Sequence, residues 1–247
     1  MLLSLAGCAS PERLLPGTAA RPEVRAIDVG IANVFVVMGK RPILVDTGTA
    51  GSTEKLEAGL RDLGVEPRDL ALVVITHGHA DHCGGATRVR ELSGAKVVAG
   101  AADLEVFERG YNRPMNPIGV TAHLIKPFIA PPFPGFTPDI LVTPSAQPLD
   151  LRPFGVDGHV IPAPGHTPGS LVVVLDDGDA LVGDMLSGGY FGGALRPQTP
   201  TRHYFHDDRE AAEAHLAGLV KLGCRRLFLG HGGPVDAREA AEALAAR

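Results

Sequence analysis

The stretch Thr76-His77-Gly78-His79-Ala80-Asp81-His82-Cys83-Gly84-Gly85 follows directly on the apolar run Ala71-Leu72-Val73-Val74-Ile75. Three imidazoles and a carboxylate within six positions are costly to bring together unless something binds them. A spacing of two in an extended turn sends His77 and His79 the same way and leaves Asp81 and His82 to face a neighbouring point. Gly78, Gly84 and Gly85 let the backbone turn tightly and open a helix. Polar residues recur in the same setting along the chain. Asp46 follows Ile43-Leu44-Val45, His166 comes shortly after Val160-Ile161, Asp184 follows Ala180-Leu181-Val182-Gly183, and His231 follows Arg226-Leu227-Phe228-Leu229-Gly230. Each lies just beyond the carboxyl end of an expected strand, where open α/β sheets place ligands.

Short apolar runs of strand type lie at 33–37, 42–45, 71–75, 95–98, 159–161, 170–175, 180–182 and 226–229. Helical patterns alternate with them at 52–63, 85–92, 101–109, 208–222 and 237–246. In the fourth of these, Asp207 or Asp208 is a capping candidate and Gly223 sits just past the end. The mixture implies a layered α/β architecture for residues 24–247. Between 110 and 148 the pattern lapses into a proline-rich stretch that includes Ile129-Ala130-Pro131-Pro132-Phe133-Pro134-Gly135-Phe136. It reads either as an insertion lining the mouth of a site or as a proline-stiffened surface excursion.

With 45% hydrophobic residues in 247, the chain can bury one sizeable core, which excludes a mostly disordered protein. The balance of 23 basic and 28 acidic side chains has no Lys/Arg run. A small-molecule substrate is therefore expected rather than a nucleic acid. Three cysteines are too few and too scattered for a disulfide framework. Cys8 ends Leu5-Ala6-Gly7-Cys8, which resembles a bacterial lipobox. On that reading residues 1–23 are a signal remnant and linker, and the protein is exported and held at the cell envelope by a lipid on Cys8. The alternative is a frayed apolar N-terminus on a cytoplasmic protein.

The motif His77-x-His79-x-Asp81-His82, followed in order by His166, Asp184 and His231, resembles that of the metallo-β-lactamase fold superfamily. The resemblance covers roughly Val24 to the C-terminus. It implies a four-layer αβ/βα sandwich, two mixed sheets face to face with helices outside. It also implies a two-metal site: His77, His79 and His166 on one ion, Asp81, His82 and His231 on the other, and Asp184 bridging them. Asp46 matches the family's Asp-Thr-Gly turn, which supports the site from behind. Five imidazoles and two carboxylates suit zinc, two ions per chain, and could also hold iron or manganese. Two such ions share a hydroxide as nucleophile, with Asp81 both ligating and orienting it.

Among the activities of that superfamily, a di-zinc hydrolase of an ester, lactone, thioester or amide is expected. True metallo-β-lactamases lack a bridging carboxylate where Asp184 stands, and the acyl-homoserine lactonases carry a Tyr where Ser187 stands. The alternatives are an iron-dependent persulfide dioxygenase-like enzyme, against which the full second-metal set speaks, and a β-lactamase-type resistance activity. Tyr190, His203, Tyr204 and His206 are candidates for hydrogen bonds to substrate, set against the commoner explanation of a polar loop. His123 and His159 read as surface residues, His215 as a partly buried helix residue, and Cys83 and Cys224 as packing.

Overall fold

The computed structural model describes residues 22–117, 122–123 and 131–246. Strand alternation sets its layers: in the second strand Val34 and Val36 enter one cluster of buried residues, and Phe35 and Val37 another. A strand apolar on both faces must be covered on both. The first sheet runs in the order β1 (Glu23–Asp28), β2 (Asn33–Met38), β3 (Ile43–Val45), β4 (Leu72–Val74), β5 (Lys96–Gly100) and β6 (Ile140–Val142). Its first three strands are antiparallel and its last four parallel. The second sheet contains β7 (Leu149–Asp150), β8 (Gly158–Pro162), β9 (Leu171–Leu175), β10 (Asp179–Leu181), β13 (Arg226–Phe228) and β14 (Val235–Asp236), in the order β14-β13-β10-β9-β8-β7. β11 (Ser187–Tyr190) and β12 (Leu195–Thr201) form a separate hairpin.

The two sheets pack face to face through Phe35, Val37, Ile43, Val45, Leu72 and Val74 on one side and Val160, Val173, Leu175, Leu181 and Phe228 on the other. Phe35 and Phe228 meet edge to face with ring centroids 5.6 Å apart. Outside the first sheet lie α1 (Thr53–Asp62), the short α2 (Ala80–Cys83), α3 (Ala86–Ser93) and α4 (Leu104–Arg109). Leu56, Leu60, Val89 and Phe107 cover Val36, Leu44, Val73 and Val97 there. Outside the second sheet lie α5 (Arg209–Lys221) and α6 (Ala237–Ala245), whose Leu216, Leu219 and Leu244 pack on Val172, Val182 and Leu227. The αβ/βα sandwich expected from the sequence is the architecture observed. Asp208 caps α5 by accepting the Ala211 N–H at 2.9 Å, and Gly223 follows its end at φ +90°.

The apolar runs of the sequence leave out β1, whose apolar residues are interrupted by Glu23, Arg25 and Asp28, and also β6, β7, β14 and the β11–β12 hairpin. Strands of two or three residues leave no measurable alternation. β11 contains Gly188 and Gly189, and β12 contains Pro197 and Pro200, residues that normally argue against a strand. A two-stranded ribbon has free outer edges, where proline's missing donor costs nothing. Within 110–148, the described residues Phe133 and Phe136 pack into the outer core, with Phe136 5.3 Å from the Phe107 ring. Residues 118–121 and 124–130 lie outside the described residues. So do residues 1–21, including the Leu5–Cys8 motif.

Candidate metal centre

The polar residues beyond β3, β4, β8, β10 and β13 converge at one end of the sandwich. His77, His79, His166 and Asp184 bring one ligand atom each within 4.8 Å of one another, as do Asp81, His82 and His231. Asp184 lies between the groups. Its Oδ1 is 3.4 Å from His82 Nε2, and its Oδ2 is 3.3, 3.6 and 3.8 Å from Nε2 of His231, His166 and His77. Asp81 Oδ2 is 3.4 Å from His231 Nε2 and 3.7 Å from His82 Nε2. All seven expected ligands are brought together.

In four of the five rings, those of His77, His82, His166 and His231, the outer nitrogen is held by a group that fixes the ring. Asp46 Oδ2 accepts from His82 Nδ1 at 2.8 Å and from the Thr76 hydroxyl at 2.8 Å, while Oδ1 takes the Thr76 N–H. With its own hydrogen committed to Asp46, Thr76 Oγ1 accepts from His77 Nδ1 at 3.0 Å. His166 Nδ1 donates to the Phe205 carbonyl at 2.8 Å and His231 Nδ1 to the Ile31 carbonyl at 2.9 Å. In each case the inner Nε2 is left with its lone pair, the form a metal ligand needs. Asp46 holds this position at φ +63°, a conformation unfavourable for a residue with a side chain. Its three hydrogen bonds determine it.

Electrostatics favour the same state. Burial pushes the His77 and His166 rings well below the ordinary histidine value and His79 down to about 4, so these rings stay neutral. Burial also works against the carboxylates, but His82 and His231 beside Asp81, and His231, His82 and His203 beside Asp184, hold both ionised. His82 is the exception. Burial opposes its proton, yet Asp184, Asp81 and Asp46 together lift its affinity well above the ordinary value. Three carboxylates thus surround one buried ring, a concentration of negative charge that a bound cation would balance.

The residues fit a metal. His77 Nε2, His82 Nε2 and Asp184 Oδ1 are buried and meet no hydrogen-bond partner. Each such atom costs about 1–3 kcal/mol if nothing satisfies it. Close backbone approach is part of the design: a Cβ on Gly230 would stand 2.0 Å from Asp184 Oδ1 and 2.6 Å from His82 Cε1. Only glycine fits there.

Sequence reasoning passed over the residues that tie the ligand loops together. Asp103 accepts the Gly78 N–H at 2.8 Å, the Gly169 N–H at 3.0 Å and the Thr167 hydroxyl at 2.6 Å. It thus clasps the His77–His82 loop to the His166 loop. Asn33 donates from Nδ2 to the Leu229 and Gly232 carbonyls, which steadies the His231 loop. Replacing Asp103 by Ala strands three donors, and a loss of about 3–5 kcal/mol is expected. Urea unfolding of the chelator-treated protein reads this without interference from metal binding, and a change below 1 kcal/mol would contradict the clasp.

The four candidates for substrate contact separate. His203 is buried at the centre, its Nε2 3.1 Å from Asp184 Oδ2. His206 is buried edge-on to His166, with centroids 5.5 Å apart, and burial pushes it down to about 3. The Tyr204 hydroxyl accepts the Phe191 N–H at 3.3 Å, and Tyr190 is exposed at the end of β11. Cys83 and Cys224 are buried, His123 is exposed, and His159 and His215 are half-buried.

The family model described as the metallo-beta-lactamase superfamily matches residues 27–231. The probable metallo-hydrolase YflN of Bacillus subtilis is 29% identical over 238 residues, 90% of this chain and 88% of its own length. Metallo-beta-lactamase domain-containing protein 1 of Xenopus laevis is 26% identical over 207 residues, 82% of this chain and 71% of its own. Among solved structures, a metallo-beta-lactamase of Novosphingobium pentaromativorans superposes with a TM-score of 0.63 at 17% identity, covering 92% of this chain and 85% of its own. A subclass B3 enzyme of Bradyrhizobium japonicum gives 0.58 at 22% identity, covering 85% and 75%. At those identities the structural likeness speaks for the fold.

Proposed function

Since the chain belongs to the metallo-beta-lactamase superfamily and is a metal-dependent hydrolase of it, we propose that it works with two ions, zinc in preference to iron or manganese. The substrate we propose is a small-molecule ester, lactone, thioester or amide. The supporting observation is the placement of Asp184 between two ligand groups, with His77 Nε2, His82 Nε2 and Asp184 Oδ1 buried and without hydrogen-bond partners. His77, His79 and His166 would hold one ion, Asp81, His82 and His231 the other, and Asp184 both. Ions bound there supply an activated water at neutral pH and a Lewis acid for the scissile carbonyl.

The chain's own groups supply the rest. Asp81 is the most accessible of the ligand carboxylates. Held ionised beside His82 and His231, it can accept a hydrogen bond from the attacking water and so turn the water's lone pair toward the substrate carbon. The Asp46–Thr76–His77 and Asp46–His82 contacts keep two rings in register. A chain of neutral imidazoles around two carboxylates favours borderline divalent ions over magnesium or calcium.

The test is a panel of one lactone, one thioester, one aryl ester, one β-lactam and one phosphodiester, run beside Asp81→Asn. The expected result is turnover of an acyl-type substrate that falls at least about 100-fold in the variant. Metal content is measured on both proteins. Preferential phosphodiester cleavage, or activity that persists in Asp81→Asn, would overturn the assignment.

A further inference from the structure

The hairpin β11–β12 carries a strained aromatic residue at its tip: Phe191 has φ +52° and is 71% exposed. A left-handed backbone is costly for a bulky side chain, and a side chain left in water offsets little of that cost. Strain without burial points to a use other than folding.

The position of the tip supplies one. Its glycines seat it backbone to backbone on the loop that carries His231. A Cβ on Gly193 would stand 2.6 Å from the Gly232 Cα, and one on Gly232 would stand 2.3 Å from the Gly188 carbonyl oxygen. The Gly188 N–H donates to the His231 carbonyl and the Gly233 N–H to the Pro197 carbonyl, each at 2.8 Å. The Phe191 N–H donates to the hydroxyl of Tyr204, which directly follows His203 in the chain. The tip is thus tied to the His231 loop and to the segment that brings His203 against Asp184.

A second hairpin ends on the same loop. Between β1 and β2 the Ile31 carbonyl orients the His231 ring, and the Asn33 N–H donates to the Gly230 carbonyl at 2.7 Å. Ile31 itself is 56% exposed. Of the seven large apolar residues exposed among the described residues, four (Ile31, Tyr190, Phe191 and Leu195) stand on these two hairpins. The stretches 29–33 and 185–201 contain one charged residue, Arg196. Apolar side chains gathered beside a polar centre suit a ligand with a polar reacting end and an apolar tail.

We propose that Phe191 and Ile31 are specificity-determining residues: they take the apolar acyl substituent, alkyl or aryl, of the substrate cleaved at the centre. This rests on the acyl-hydrolase reading above. The acyl substituent stays bonded to the carbon held at the centre throughout the reaction, whereas the leaving group departs from it. Fixed contacts beside His231 therefore serve the acyl side.

Each methylene that such a surface takes out of water raises kcat/KM about two- to fourfold. The zinc-loaded protein is assayed with p-nitrophenyl acetate, butanoate, hexanoate and octanoate, beside Phe191→Gly and Ile31→Ser. Ile31→Ser keeps the carbonyl that orients His231, and Phe191→Gly relieves the strained φ, so both should keep Tm within about 3 °C of wild type. The wild type is expected to gain with acyl length, and both variants to show a flatter series, through KM rather than kcat. The chain has no Trp, so Phe191→Trp gives a single reporter that needs no turnover. Sodium octanoate should shift its emission to the blue, and sodium acetate should not. Leu222→Trp is the control, as exposed as Phe191 but placed after α5, outside the two hairpins.

An acyl-length series of equal slope in the variants would overturn the proposal. So would an octanoate shift that Leu222→Trp shares or Phe191→Trp lacks. A blue shift with phosphatidylcholine vesicles as large as that with octanoate would make the tip a membrane contact, and a larger fall in Tm in Phe191→Gly would make the residue structural; either would overturn it too. A zinc-loaded wild type that cleaves no ester, while octanoate still shifts the reporter, would refute the hydrolase reading and leave the apolar subsite standing.

Discussion

An Asp184→Asn chain is expected to lose about 10³-fold or more in kcat/KM, roughly 4 kcal/mol of transition-state stabilisation, and to release at least one of its ions. The change is small in shape and large in chemistry. One carboxylate oxygen becomes an amide nitrogen whose hydrogens face the lone pairs of His77, His166 and His231, or of His82 if the amide is turned. Neither orientation can satisfy both ligand groups. A negative charge that balances the centre also disappears, while the five histidine ligands stay buried around it. The measurements are metal content after dialysis and the rate on the substrate found by the panel. Retention of two ions with activity within tenfold of the wild type would contradict the bridging role.

Chelation is expected to cost the fold nearly as much. Ions present at about 1,000 times their Kd add about 4 kcal/mol to the stability of the state that binds them. For a domain of this size each kcal/mol corresponds to about 2–4 °C, so removing the ions should lower Tm by about 8–16 °C. Added zinc should restore it. The chelated protein should also become less stable in acid, for a reason the buried rings supply. His77, His79 and His166 have folded values below the ordinary 6.5, His79 at about 4. As pH falls from about 6.5 to 4, the unfolded chain takes up protons that the folded chain refuses, and stability drops. His82 acts only above 6.5, where its raised value makes stability decline as pH rises, and the depressed Asp81 and Asp184 act only below the carboxylate range. Urea midpoints of the chelated protein at pH 7 and pH 5 check this: the value at pH 5 should be lower. An equal or higher one would mean the rings are not buried as described.

The ligand positions are legible in the sequence because metal sites demand rare residue types, and strand ends are easily located from apolar runs. Asp46 is legible for the same reason, through its turn after β3. Asp103 is not, since its partners Gly78 and Gly169 lie 25 and 66 residues away and nothing local marks the contact. The Phe205 and Ile31 carbonyls that orient His166 and His231 are backbone groups, which any residue would provide. His203 shows the limit best. Its residue type is visible, but its place against Asp184 depends on where the glycine-rich β11 and proline-containing β12 return the chain. The sandwich itself follows from strands apolar on both faces, whereas β6, β7 and β14 are too short to carry a pattern.

The count of tightly bound metal in the purified protein tests the account most directly. After exchange into zinc-containing buffer and removal of free ions by gel filtration, elemental analysis should find two zinc ions per chain. A ratio of one or less, or a single iron that zinc does not displace, would contradict a centre built around Asp184 as a bridge.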